Sequence, residues 1–133
     1  MPYTLITGAS GLVGSAVAKK LVAAGHRVRA LVRSTSPRAH LAGLDLEYAV
    51  GDIRDAESVR RAMAGARYVF HVAADYRLWA RDPREIYAAN VDGTRIMMQE
   101  ALSAGVERVA LPERWREEAG GLEEGICRIR RRW

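Results

Sequence analysis

The stretch TGASGLVGSA, residues 7–16, holds three glycines at every third position. It follows an apolar run (residues 3–7) and precedes a stretch with helical spacing. In such a setting Gly8 permits a tight turn, Gly11 lets the backbone approach a ligand, and Gly14 allows a helix to press closely on a strand. The backbone amides from Ser10 through Gly11 and Leu12 to Val13 then face an anion favoured by the positive end of the helix. The chemistry expected is capture of a dinucleotide pyrophosphate. Glycine turns also arise for packing alone, and it is the placement between a first strand and a helix that selects the binding reading. No GxxxxGK[ST] run occurs, which disfavours a nucleoside-triphosphate loop.

A second chemical position lies at the end of the next apolar run, residues 28–32. An acid there would suit a ribose 2′-hydroxyl. This chain has Arg33 followed by Ser34. A guanidinium grips a 2′-phosphate with parallel donors, so NADP is expected, with NAD as the alternative. A solvated surface arginine is the lesser reading of Arg33.

These residues need a scaffold. Short apolar runs at 3–7, 28–32, 46–50, 68–72 and 106–111 read as five strands, alternating with helical patterns. One helix covers 12–24 and stops at Gly25. A second, AESVRRAMA, is capped by Asp55 and ends at Gly65. A third opens at Asp82 and Pro83, runs to Ala104 and closes on Gly105. Along this third helix Ile86, Ala89, Gly93, Ile96, Met97 and Ala101 share one face, which reads as core. The expected fold is α/β: a Rossmann-like parallel sheet of order 3-2-1-4-5 with helices on both faces, truncated after the fifth strand.

Three further stretches strengthen that expectation: GDI at 51–53, HVAA at 71–74 and YAANVDGT at 87–94. With the glycine loop they make residues 3–109 resemble the extended short-chain dehydrogenases/reductases, also called the NAD-dependent epimerase/dehydratase family. The loop DYRLWARDP at 75–83 is similar to that of hopanoid-associated sugar epimerases and dihydroflavonol-reductase-like proteins. The resemblance implies that Asp52 accepts from the adenine amino group and that Ile53 packs on the adenine. It also implies that Ala73 and Ala74 lie along the ribose and nicotinamide, and that Asn90 braces the active site. Taken alone, Asp52 equally suits a turn after Gly51. His71 reads as a strand residue facing a neighbour rather than a catalyst. Tyr76 and Trp79 suit either a ligand crevice or packing on the third helix.

The resemblance further implies a catalytic tyrosine, a lysine four residues on, and a serine after the fifth strand. A phenol with a pKa near 10 needs such a nearby cation to work near neutrality. This chain has only Lys19 and Lys20, no tyrosine followed by lysine at that spacing, and no serine after Ser103. No catalytic residue is therefore assigned, and no metal ligand. The expectation is the NADP-binding N-terminal portion of a sugar epimerase or reductase, unable to turn over alone. A non-catalytic NADP-binding sensor or docking module is the alternative. A sugar or ketone substrate would be engaged only in a complete enzyme, and the 83–104 helix is a candidate homodimer face.

Two domain segments are expected: 1–111, an incomplete cofactor-binding domain, and 112–133, an aberrant or disordered charged tail. The tail holds five glutamates and six arginines, and Pro112 cannot donate in a sheet ladder. The pattern breaks at Ala110 in mid-strand, as a shifted reading frame would produce. A net charge of +5 raises nucleic-acid binding as a question, but the basic residues are spread along the chain, so no such partner is expected. Cys127 is the single cysteine, and no apolar run approaches the length of a membrane helix. Cytoplasmic residence is the expectation.

Overall fold

All five residues of the first strand, β1 (Tyr3–Thr7), are buried, as expected of a central strand covered on both faces. The computed structural model describes residues 2–72, 81–110 and 126–128. Side-chain period two sends Leu5 to one core and Ile6 to the other. Ile6 meets Ala18 and Leu21 of helix α1 (Leu12–Ala23), with Val28, Ala30 and Val32 of β2 (Val28–Val32). Leu5 joins Val59 and Met63 of α2 (Ala56–Met63), Val69 of β4 (Ala66–His71) and Met97 of the last helix. Each of these large side chains, fully enclosed, contributes about 1.5–3 kcal/mol.

The remaining strands are β3 (Glu47–Val50), β5 (Arg108–Ala110) and β6 (Ile126–Arg128). Strands β1 to β5 are parallel in the order 3-2-1-4-5, as the alternation of strand and helix predicts. Asp55 caps α2 as expected, its side chain accepting from the Glu57 amide at 3.2 Å.

Two features depart from the sequence reading. The first is in the third helix, expected to be continuous. It divides into α3 (Pro83–Tyr87), a π turn at Ala88–Asp92, and α4 (Gly93–Ala104). The Thr94 hydroxyl donates to the Asn90 carbonyl at 2.7 Å, a side-chain bond that competes with the backbone ladder. Beside it, a Cβ on Gly93 would come within 2.7 Å of the Ile53 side chain, so the helix approaches the loop after β3 more closely than any other residue allows. The end of α4 matches expectation, with Gly105 left-handed and Val106 donating to the Ala101 carbonyl at 3.0 Å.

The second departure is β6, which lies within the segment expected to be a tail and pairs antiparallel with β5, Val109 opposite Cys127. Proline bars a ladder bond only at its own position. The free edge of β5 can still accept a strand from further along the chain.

Candidate functional site

The candidate residues that the structure describes gather where β1, β2 and β3 end, on the carboxyl edge of the sheet. Strand order reverses between β1 and β4, the position where open α/β sheets leave a crevice. Gly8 leaves β1 with φ of 72°, a left-handed conformation that favours glycine. Gly14 is demanded by space: a Cβ there would sit 1.9 Å from the Gly8 carbonyl oxygen. Gly11 differs, because its backbone is extended and a Cβ would make only ordinary contact at 3.5 Å. The protein's own packing thus does not require glycine at position 11; no side chain covers its backbone there, whose amide donates to the Gly8 carbonyl at 3.1 Å and whose carbonyl accepts from the Ser15 amide at 2.9 Å.

Helix α1 starts at Gly11 without any side-chain cap and without an acid in its first turn. Its leading amides are left to an external acceptor, and its dipole favours an anion there. Ser15 turns its hydroxyl back to the Leu12 carbonyl, at 3.0 Å. Leu12 and Val13 are 79% and 63% exposed, an apolar step beside the loop that calls for a cover. Ser10 is half-buried.

Arg33 stands exposed just past β2, in a turn closed by Ser36, whose hydroxyl accepts from the Arg33 amide at 3.1 Å. Ser34 is exposed beside it. Among the described residues no ion pair holds the Arg33 guanidinium, although its charge helps to keep Asp52 ionised. Asp52 follows β3. Its backbone amide donates to the Ser58 hydroxyl, and that hydroxyl lies 3.0 Å from the Asp52 and Asp55 carbonyls. The Arg54 side chain holds the Asp52 carboxylate through bonds of 3.1 Å and 2.8 Å, and the Arg54 amide adds a third at 2.9 Å. These bonds, Arg54's side chain foremost, hold the Asp52 pKa below its ordinary value. Ile53 packs under Gly93.

His71 is fully buried, between β1 and the π turn. Its Nδ1 is 2.8 Å from the Thr7 hydroxyl and its Nε2 3.1 Å from the Thr94 hydroxyl. Thr94 uses its proton on the Asn90 carbonyl, so toward His71 it accepts, and Nε2 carries the ring hydrogen. Nδ1 then accepts from Thr7, whose oxygen also receives the Val72 amide at 3.2 Å. Burial pushes the imidazole pKa down to about 4. A neutral, enclosed ring joins three elements, as expected of a strand residue facing its neighbours.

Ala73, Ala74, Tyr76 and Trp79 lie outside the described residues. Sequence reasoning assigned no role to Arg54, Ser58, Thr7 or Thr94, although Thr7 opens TGASGLVGSA and Thr94 closes YAANVDGT, while Arg54 directly follows GDI. Among the described residues no group of three or more His, Cys, Asp or Glu could hold a metal ion. None of their helices is long and apolar enough to cross a membrane.

Residues 4–112 match the NAD dependent epimerase/dehydratase family. The chain is 45% identical over 106 residues to sterol demethylase protein B of Methylococcus capsulatus, covering 80% of this chain and 32% of that protein. It is 41% identical over 103 residues to a putative dihydroflavonol 4-reductase of Synechocystis, covering 77% of this chain and 30% of the relative. A crystal structure of a short-chain dehydrogenase/reductase superfamily protein from Agrobacterium tumefaciens with bound NAD superposes with a TM-score of 0.70 at 32% identity, over 82% of this chain and 31% of the other. The chain therefore spans about a third of the length of the curated relatives it matches.

Proposed function

The chain belongs to the NAD dependent epimerase/dehydratase family, and from that premise we propose that it binds NADP as the cofactor-holding portion of a sugar epimerase or ketone reductase. One observation carries the reading. Helix α1 begins uncapped, at a loop where Gly14 presses on Gly8 and the Gly11 backbone is bare. That cradle fits a pyrophosphate. A nicotinamide dinucleotide, when bound, supplies hydride chemistry, while the residues of this chain grip and orient it. Gly8, Ser10, Gly11, Leu12, Val13 and Gly14 form the pyrophosphate cradle. Arg33 and Ser34 take the 2′-phosphate, Asp52 and Ile53 the adenine, and Ala73 and Ala74 the ribose and nicotinamide side.

The test is titration of the chain with NADPH, followed by cofactor fluorescence. Saturable binding is expected, and Gly11→Val should abolish it while leaving the circular dichroism spectrum unchanged. Retained affinity in that variant would make the loop purely structural. The 133-residue chain holds no tyrosine–lysine pair at four-residue spacing, so we propose that by itself it transfers no hydride. Steady oxidation of NADPH by an added ketone or keto-sugar would overturn that half of the reading.

A further inference from the structure

Asp52 has two carboxylate oxygens with about four lone-pair positions between them. Three are already taken, all by one residue: the Arg54 amide and Nε reach Oδ1, and Nη2 reaches Oδ2. The first of these closes an Asx turn, so the carboxylate is tied to its own backbone as well as to the guanidinium. Below it the backbone is clamped by Ser58 and by the close fit of Gly51 against that serine, where a Cβ would lie 2.7 Å from the Ser58 side chain. One acceptor position remains, in a carboxylate that is two-thirds buried and cannot rotate without breaking a bidentate pair.

We infer that Arg54 is the positioning residue of the adenine subsite: it holds Asp52 in a single orientation with one acceptor left for one amino hydrogen. The inference rests on the proposed dinucleotide reading and deepens it. The bond to Asp52 is the largest cause that raises the Arg54 pKa, and the charge of Glu85, on α3, adds to it. Asp52 stays ionised for the same reason, with the Arg54 side-chain bond as the largest cause. A carboxylate locked in this way distinguishes bases by what they present at position 6. Adenine offers an N–H there, whereas hypoxanthine offers a carbonyl oxygen that an immobile acceptor must repel.

The experiment is calorimetric titration of the full chain with NADPH and with its hypoxanthine analogue. The parent chain should favour NADPH by about tenfold or more, the size of a hydrogen bond to a charged group. In Arg54→Met the carboxylate is free to turn. NADPH should then weaken about three- to tenfold as ordering of the side chain falls to the binding step. The analogue should hold its affinity, so that the ratio drops to about twofold. The preference for NADPH over NADH should not move, because it belongs to Arg33. An unchanged ratio in the variant overturns the inference, as does a sharper preference for adenine, which would make Arg54 a competitor for the carboxylate. Arg54→Lys keeps the charge but not the fork, and its ratio should drop in the same way, which decides the matter should the methionine variant not fold. Binding of both dinucleotides by the parent without discrimination also overturns the inference. If the parent binds neither, the dinucleotide reading falls and takes this inference with it.

Discussion

In the proposed reading, cofactor choice turns on Arg33. It is exposed, and among the described residues no ion pair holds its guanidinium. A charge-assisted grip on a 2′-phosphate is worth roughly 1.5–3 kcal/mol, less where water screens it. Arg33→Ala should therefore cost NADPH about tenfold in affinity and leave NADH nearly untouched, as measured by parallel titrations. The loss should shrink at high salt. Equal affinities in the parent chain would remove the assignment. The positions of Arg33 and the glycine loop were legible in the sequence because each sits at a set offset from a strand end. Arg54 was not. Residues two apart point away from each other on a helix and lie a full strand repeat apart on a sheet, and Asp52 and Arg54 meet because the backbone folds into an Asx turn.

At the scale of elements, the alternation of strand and helix was legible, as were the Asp55 cap and the Gly105 ending. These are local signals. The π turn was not legible, because the local Thr94–Asn90 bond is joined there by contacts from elsewhere in the chain: Ile53 after β3, and His71 at the end of β4. The helical period of residues 83–104 continues in sequence through a point where the backbone does not. π turns of this kind recur at functional sites, and this one carries Asn90, whose carbonyl ends the chain of bonds running from Thr7 through His71 and Thr94. The bonds depend on a neutral ring. Burial lowers the folded pKa of His71 to about 4, from 6.5. The unfolded chain therefore binds the extra proton first. Stability from this group is full above pH 6.5 and is lost as pH falls toward 4, by about 3 kcal/mol. Denaturant unfolding from pH 7 to 4 should show this loss. His71→Gln should start less stable at pH 7 and lack that part of the slope. Parallel slopes in the two proteins would mean that acid acts elsewhere.

Among the described residues, several of the arginines that give the chain its basic balance are paired with acids across the fold. Arg27 and Arg29 share Glu47, while Arg60 pairs with Glu100, Arg67 with Glu107 and Arg84 with Asp82. Each surface pair adds little by itself, and together they spread the charge around the fold. The order of the five parallel strands could be read from the sequence because crossover connections restrict the choices. β6 could not, since an antiparallel partner for β5 follows from a free edge rather than from any periodicity. The central place of β1 has a further consequence during synthesis. Strand β2 is available to β1 well before β4, and the other edge of β1 waits for β4, with Thr7 opposite His71. Those partners are 71 − 7 = 64 residues apart, and at roughly 5–20 residues per second the wait lasts about 3–13 s. Throughout that interval a nascent pair of largely apolar strands lies open along its most buried seam, so the chain's exposure to holding chaperones is set by its topology rather than by its final stability.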